Sequence, residues 1–149
     1  MNQNIIRVNY KFLKKGKPNM EIIAVPSYRE GGLNEIFHLK FGRCDTFTFI
    51  TIDNNEIIQV KVIKNFAADE PGGAGTQSAK LIKDNSADKL IVSRLGSNAS
   101  NVLSSLNIKT FQGPDQEITI KELINLYIDG KLNMTKSAEL IKNAKMGQK

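Results

Sequence analysis

Residues 21–27, EIIAVPS, are apolar at almost every position and show no alternation. A strand with one wet face alternates apolar and polar residues, whereas an unbroken apolar run suits a strand buried on both faces. This stretch therefore belongs inside a sheet, and its neighbours have to supply the cover.

Strand periodicity recurs on either side of it. Residues 5–12, IIRVNYKF, place Ile6, Val8, Tyr10 and Phe12 on one face and Arg7, Asn9 and Lys11 on the other. That is the period of a half-buried strand. KKGKPN then makes a turn, broken by Gly16 and Pro18. TFTFITI at 46–52 and IIQVKVI at 57–63 flank Asp53-Asn54-Asn55-Glu56 and read as a hairpin, with Phe47 and Phe49 alternating into the core. Between the buried strand and the hairpin lies YREGGLNEIFHLKFGRC, residues 28–44, an irregular stretch too long for an idle connection.

Beyond the hairpin the period changes. A glycine-rich stretch, FAADEPGGAGTQSAKLI, leads into a helix expected at about 76–85. DKLIVSRL supplies a short apolar strand. SNASNVLSSL has Ala99, Val102, Leu103 and Leu106 at helical spacing, with Ser97 placed as an N-cap. NIKTFQG is a further strand, closed by a Gly-Pro turn. In TIKELINLYIDGK, Thr119 and Glu122 have capping-box spacing, Ile120, Leu123, Ile124, Tyr127 and Ile128 form an apolar stripe, and Gly130 is a stop. The last stretch, NMTKSAELIKNAK, reads as a basic amphipathic helix.

The order is a β meander followed by helix–strand–helix–strand–helix, an α/β domain. If right-handed crossovers add the last two strands parallel to the first, the loops after 27, 63, 94 and 112 open at one end of the sheet, together with the segment FGRCD. Open α/β sheets bind ligands at that edge. The glycines concentrate there as well.

Charge adds little to this. The net charge of +6 comes from the ends: residues 1–19 carry five Lys or Arg and no acid, whereas residues 20–130 carry 11 basic and 14 acidic residues. Basic ends attract phosphate without sequence preference, but solvated tails are the commoner reason for them, so no specific nucleic-acid partner is expected. No apolar run is long enough to span a bilayer. The N-terminal basic residues follow the apolar ones, the reverse of a secretory signal, which leaves a cytoplasmic location as the expectation. One cysteine excludes an internal disulfide framework and a multi-cysteine zinc site.

The glycine loop is not a nucleotide loop. It lacks the lysine of a P-loop and the spacing of a dinucleotide fingerprint. Gly72, Gly73 and Gly75 admit two readings: a tight turn needing positive φ, or backbone N–H groups at a helix N-terminus offered to an anion. Arg43 is either a fork for an anionic ligand or a surface ion pair. Cys44 is a small buried hydrophobe or a ligand. His38 is a metal ligand or a hydrogen-bonded loop residue. Arg94, Ser97 and Asn98 cluster at another strand-to-helix turn. No triad forms from one histidine and one cysteine, and the apolar strands lack the carboxylates that a metal-dependent nuclease needs, so no enzyme is expected.

Together, Pro26-Ser27, FGRC at 41–44, NFAADEPGGAGTQSAKLI, SRLGSNASNVLSSLNIKTFQGP and YIDGKL resemble the nitrogenase iron–molybdenum cofactor biosynthesis family, over residues 20 to 132. The resemblance implies a ribonuclease-H-like mixed five-stranded sheet without catalytic acids, and a role in carrying anionic iron–sulfur or iron–molybdenum-type clusters. Carried onto this chain, the matching positions are Phe41, Gly42 and Arg43; Gly72, Gly73 and Gly75; and Gly96, Asn98 and Ala99. Arg94 and Ser97 join them by location, and Cys44 and His38 are the candidate metal ligands. The family often has histidine directly before FGR; here Lys40 stands there.

The expected organisation is an N-terminal extension over 1–19 with an edge strand, a cofactor-binding-like domain over 20–132, and a basic extension over 133–149. The leading functional expectation is a non-enzymatic carrier of an anionic metallocluster, exchanging it with donor or acceptor proteins. The alternative is an interaction or regulatory domain that keeps the scaffold without a cofactor. A phosphate-ester enzyme at the same edge ranks last.

Overall fold

The computed structural model describes residues 20–135. Its elements in chain order are β1 (Met20–Ser27), a 3-10 turn (Phe41–Arg43), β2 (Thr46–Asp53), β3 (Glu56–Lys64), α1 (Ala74–Asp84), β4 (Lys89–Val92), α2 (Ser97–Ser105), β5 (Lys109–Gln112), α3 (Ile120–Ile128) and β6 (Met134–Thr135). They build one sheet in the order β3-β2-β1-β4-β5-β6.

β1 is antiparallel to β2 and parallel to β4, β2 is antiparallel to β3, and β4 is parallel to β5. This is the mixed five-stranded α/β arrangement expected from the meander and its two crossovers. The run EIIAVPS is central, with Ile23, Ala24 and Val25 wholly buried. Ala24 faces the core under α1 and α2, whereas Ile23 and Val25 face the core under α3. Phe47 and Phe49 join the first of these cores.

The hairpin closes through Asn54 and Asn55, both at positive φ. Asparagine tolerates that region better than most residues, which fits a two-residue turn. α3 starts on the expected capping box: Glu122 donates its backbone N–H to Thr119 Oγ1 at 3.1 Å, and Thr119 donates its own to Glu122 Oε1 at 2.9 Å. It ends at Gly130, φ 73°, where Lys131 N–H returns to Leu126 O. The irregular stretch 28–44 crosses from one side to the other: Leu33, Phe37 and Leu39 pack on the α3 side of the sheet, and Phe41 and Cys44 on the α1 and α2 side. Phe37 N–H bonds Ile118 O, Ile120 N–H bonds Glu35 O, and Phe37 is fully buried.

Four boundaries differ from the sequence reading. α1 begins at Ala74, so Gly75 lies in its first turn. β4 ends at Val92, which leaves Arg94 in the following loop. Ser97 is not the N-cap of α2; Gly96 is, because the chain is still extended there (φ −77°, ψ 163°) and turns helical one residue later. Met134 and Thr135 form a sixth strand on β5 where a helix was expected; the rest of that segment lies outside the described residues. So does the strand expected at 5–12. β1 has β2 on one side and β4 on the other.

Candidate functional site

Three segments far apart in sequence meet at the end of the sheet where β1 and β4 finish. Lys40 to Arg43, Gly73 to Thr76, and Arg94 to Ala99 line one hollow of about 560 Å³. That volume lies within the roughly 300–1,000 Å³ of small-ligand sites. The 3-10 turn forms one wall, anchored by Phe41, which is buried against Phe47 with ring centroids 5.5 Å apart. The N-termini of α1 and α2 form the others.

Glycine does three different jobs here. At Gly73, the N-cap of α1, φ is 77°, a conformation that L side chains rarely adopt. Gly42 and Gly75 serve contact: a Cβ on Gly75 would lie 2.9 Å from Ala99 Cβ, so its absence lets α1 and α2 touch. Gly96 has ordinary φ, and a Cβ there would meet nothing within 4 Å. Neither conformation nor packing requires glycine at that position.

The chemical result is a pair of helix ends with no side-chain cap. Serine, threonine or aspartate at an N-cap would occupy the first N–H groups with its own oxygen. Here glycine stands at both caps, and the first helical N–H groups to find acceptors are those of Gln77, on Gly73 O, and Ser100, on Gly96 O. The N–H groups of Ala74, Gly75, Thr76, Ser97, Asn98 and Ala99 have no acceptor among the described residues. Free N–H groups and the positive end of the helix dipole favour an anion.

The cations at the rim are mostly engaged elsewhere. Arg43 lines the hollow, but its Nη1 donates to Ala68 O at 2.7 Å and Glu70 O at 2.8 Å, fastening the glycine-rich loop. Arg94 forms a two-point pair with Asp115, both oxygens 3.0 Å from Nη2. Both arginines thus make intramolecular contacts rather than presenting a free fork. Lys40 lines the hollow as well, and its ammonium has no partner among the described residues.

Neither candidate metal ligand reaches the hollow. Cys44 is fully buried, its thiol donates to Phe41 O at 3.2 Å, and burial pushes its pKa up to about 12. It is therefore a thiol, not the thiolate that binds metals. His38 stacks on Tyr28 with centroids 4.1 Å apart, and its Nδ1 accepts the Lys40 N–H at 3.0 Å. Gly72 also falls outside; it lines a separate cleft of about 520 Å³ with Phe66 and Lys80. Among the described residues no group of three or more His, Cys, Asp or Glu could hold a metal ion.

Sequence reasoning overlooked Asn65, which is 3% exposed. Its Nδ2 donates to Gly42 O and Cys44 O at 3.2 and 3.0 Å; its Oδ1 accepts from Ala67 N–H and Ser78 Oγ. One amide thereby joins the end of β3, the 3-10 turn and α1. A polar residue directly after an apolar strand is too common to have marked it.

Residues 20–130 match the family described as dinitrogenase iron-molybdenum cofactor. An uncharacterized protein of Methanocaldococcus jannaschii is 36% identical over 92 residues, 62% of this chain and 76% of that protein. The apo form of the orange protein from Desulfovibrio gigas superposes with a TM-score of 0.67 at 25% identity, over 78% of this chain and 93% of that one. The crystal structure of PH0822 gives 0.63 at 26% identity, over 76% and 96%.

Proposed function

The chain belongs to the dinitrogenase iron–molybdenum cofactor family, and from that premise we propose that it is a non-enzymatic carrier of an anionic metal–sulfur cluster of the iron–molybdenum type. The hollow between the two uncapped helix ends is the cargo site. The observation that carries this is the glycine at both N-caps, which leaves two sets of N–H groups unclaimed beside one space of ligand size. Among the described residues, no cysteine, histidine or carboxylate lines that space. Cargo would accordingly be held by hydrogen bonds and charge rather than by a protein–metal bond, which suits a species that has to be handed on.

The test is to record the visible spectrum and the iron and molybdenum content of the purified protein, then titrate in a preformed anionic cluster. Gly96→Asp is the informative variant. Its backbone angles suit an N-cap, so a carboxylate there would cap α2 and repel the cargo. The expected result is lost binding with thermal stability unchanged or raised.

The alternative, an interaction or regulatory domain without cofactor, is favoured by one observation: Phe66 is 74% exposed where it lines the second cleft. An exposed aromatic ring at the edge of a cleft can dock a partner. A wild-type protein that stays colourless and binds no cluster would select this reading.

A further inference from the structure

We infer that Lys40 sets the charge preference of the hollow, favouring multiply charged anions over singly charged ones of the same shape; this rests on the anion-holding reading above. Among the described residues three cations line the space: Arg94 is charge-paired with Asp115, whereas Arg43 keeps its charge but has its Nη1 held by the carbonyls of Ala68 and Glu70 at a fixed place in the wall. The third, Lys40, is exposed and its ammonium has no partner among the described residues.

Its root is held while its head is loose. The Lys40 N–H is fixed by His38 Nδ1 at 3.0 Å, and Lys40 forms a parallel bridge to Arg94 across the rim. The four-carbon stem therefore swings from a defined point at the mouth. Backbone N–H groups select for size and hydrogen-bond geometry and offer only partial charges, whereas a formal charge gains a full Coulomb increment for each added ligand charge. A compact ammonium with three donors and no acceptor also attracts an anion without coordinating its metal.

The experiment compares wild type, Lys40→Gln and Lys40→Arg by titration calorimetry. The probes are molybdate and tetrathiomolybdate, both tetrahedral dianions, and perrhenate, a tetrahedral monoanion. Wild type is expected to prefer the dianions. Lys40→Gln should weaken dianion binding about tenfold and monoanion binding about threefold, and should flatten the salt dependence, while Lys40→Arg retains most of both. Because Lys40 is exposed, the variants should fold, which circular dichroism checks. If wild type binds the dianions and Lys40→Gln matches it in affinity and salt dependence, the role given to Lys40 is overturned and the hollow's remains. If wild type binds none of the probes, the anion-holding reading falls, and the role of Lys40 with it.

Discussion

Gly42 and Gly75 meet backbone to backbone: a Cβ on Gly42 would lie 2.9 Å from the Gly75 amide nitrogen and 3.0 Å from its Cα. Backbone cannot swing aside as a side chain does, so Gly42→Ala should push the 3-10 turn off α1. Overpacking of this kind costs about 1–3 kcal/mol, a fall of roughly 3–10 °C in a thermal melt. Gly96→Ala has open space at its Cβ and should cost less, at most about 1 kcal/mol, because only the poorer N-cap quality of alanine counts against it. Equal effects of the two substitutions would contradict this division of labour.

Asn65→Ala should be more damaging than its size suggests. It removes five hydrogen bonds, one of them a long contact to Cys44 Sγ, and leaves the Gly42 and Cys44 carbonyls, the Ala67 N–H and the Ser78 hydroxyl each short of a partner. A buried group left unsatisfied costs about 1–3 kcal/mol. Urea unfolding should show a loss of at least roughly 2 kcal/mol with an unchanged slope.

Cys44 should resist thiol reagents in the folded protein. With its pKa pushed up to about 12 by burial, almost none of it is thiolate at pH 8. Labelling by a chromogenic disulfide reagent should be negligible in buffer and should rise with denaturant along the unfolding curve. Rapid labelling of native protein would place the thiol at the surface.

His38 supplies a pH dependence whose sign can be worked out. Burial lowers its pKa below the ordinary 6.5; Asp45 and Glu117 oppose the shift and Lys40 assists it. The unfolded chain then binds the proton more readily, so this contribution to stability is fully present above the unfolded value and is lost as pH falls through the folded one. Protonation also removes the Nδ1 acceptor that holds the Lys40 N–H. The chain has one histidine, so one imidazole resonance reports the titration by NMR. A midpoint above that of an unstructured reference would reverse the sign.

Thr119→Ala should cost about 1 kcal/mol through the lost cap. Glu122, whose carboxyl is held below its usual range by the Thr119 backbone and side chain, loses its share of that cap on acidification. The thermal midpoints of wild type and variant should therefore draw closer as pH falls below the carboxylate range, without meeting, because the Glu122 N–H keeps Thr119 Oγ1 as acceptor in wild type.

Much of the architecture was legible because it follows from period and punctuation. The apolar run at 21–27, the alternation on either side of Asn54-Asn55 and the Thr119–Glu122 box each carry a local signal that the structure repeats. Strand order then put the loops after 27, 63, 94 and 112, with FGRCD, at one edge, where the structure brings 40–43, 73–76 and 94–99 together. What the sequence does not encode is where long side chains end. Whether Arg43 is an anion fork or a tethered surface residue, and what Arg94 does in its turn, stay open until the carbonyls of 68 and 70 and the carboxylate of Asp115 are located in space. Cys44 and His38 sit within a few residues of the hollow yet face elsewhere, a matter of side-chain direction rather than spacing. Ser97 was taken for a cap because serine favours that role, but the extended backbone at Gly96 moved the boundary by one residue.

The close approach of Gly42, Gly75 and Ala99 has a consequence for exchange. If the hollow holds cargo as proposed, the part of its wall where Gly42, Gly75 and Ala99 touch joins three stretches distant in sequence, so one loop cannot move there without the others. Loading and unloading with the domain intact have to pass through the open mouth, under the sweep of one lysine, and a bound guest should raise the temperature at which the whole domain comes apart.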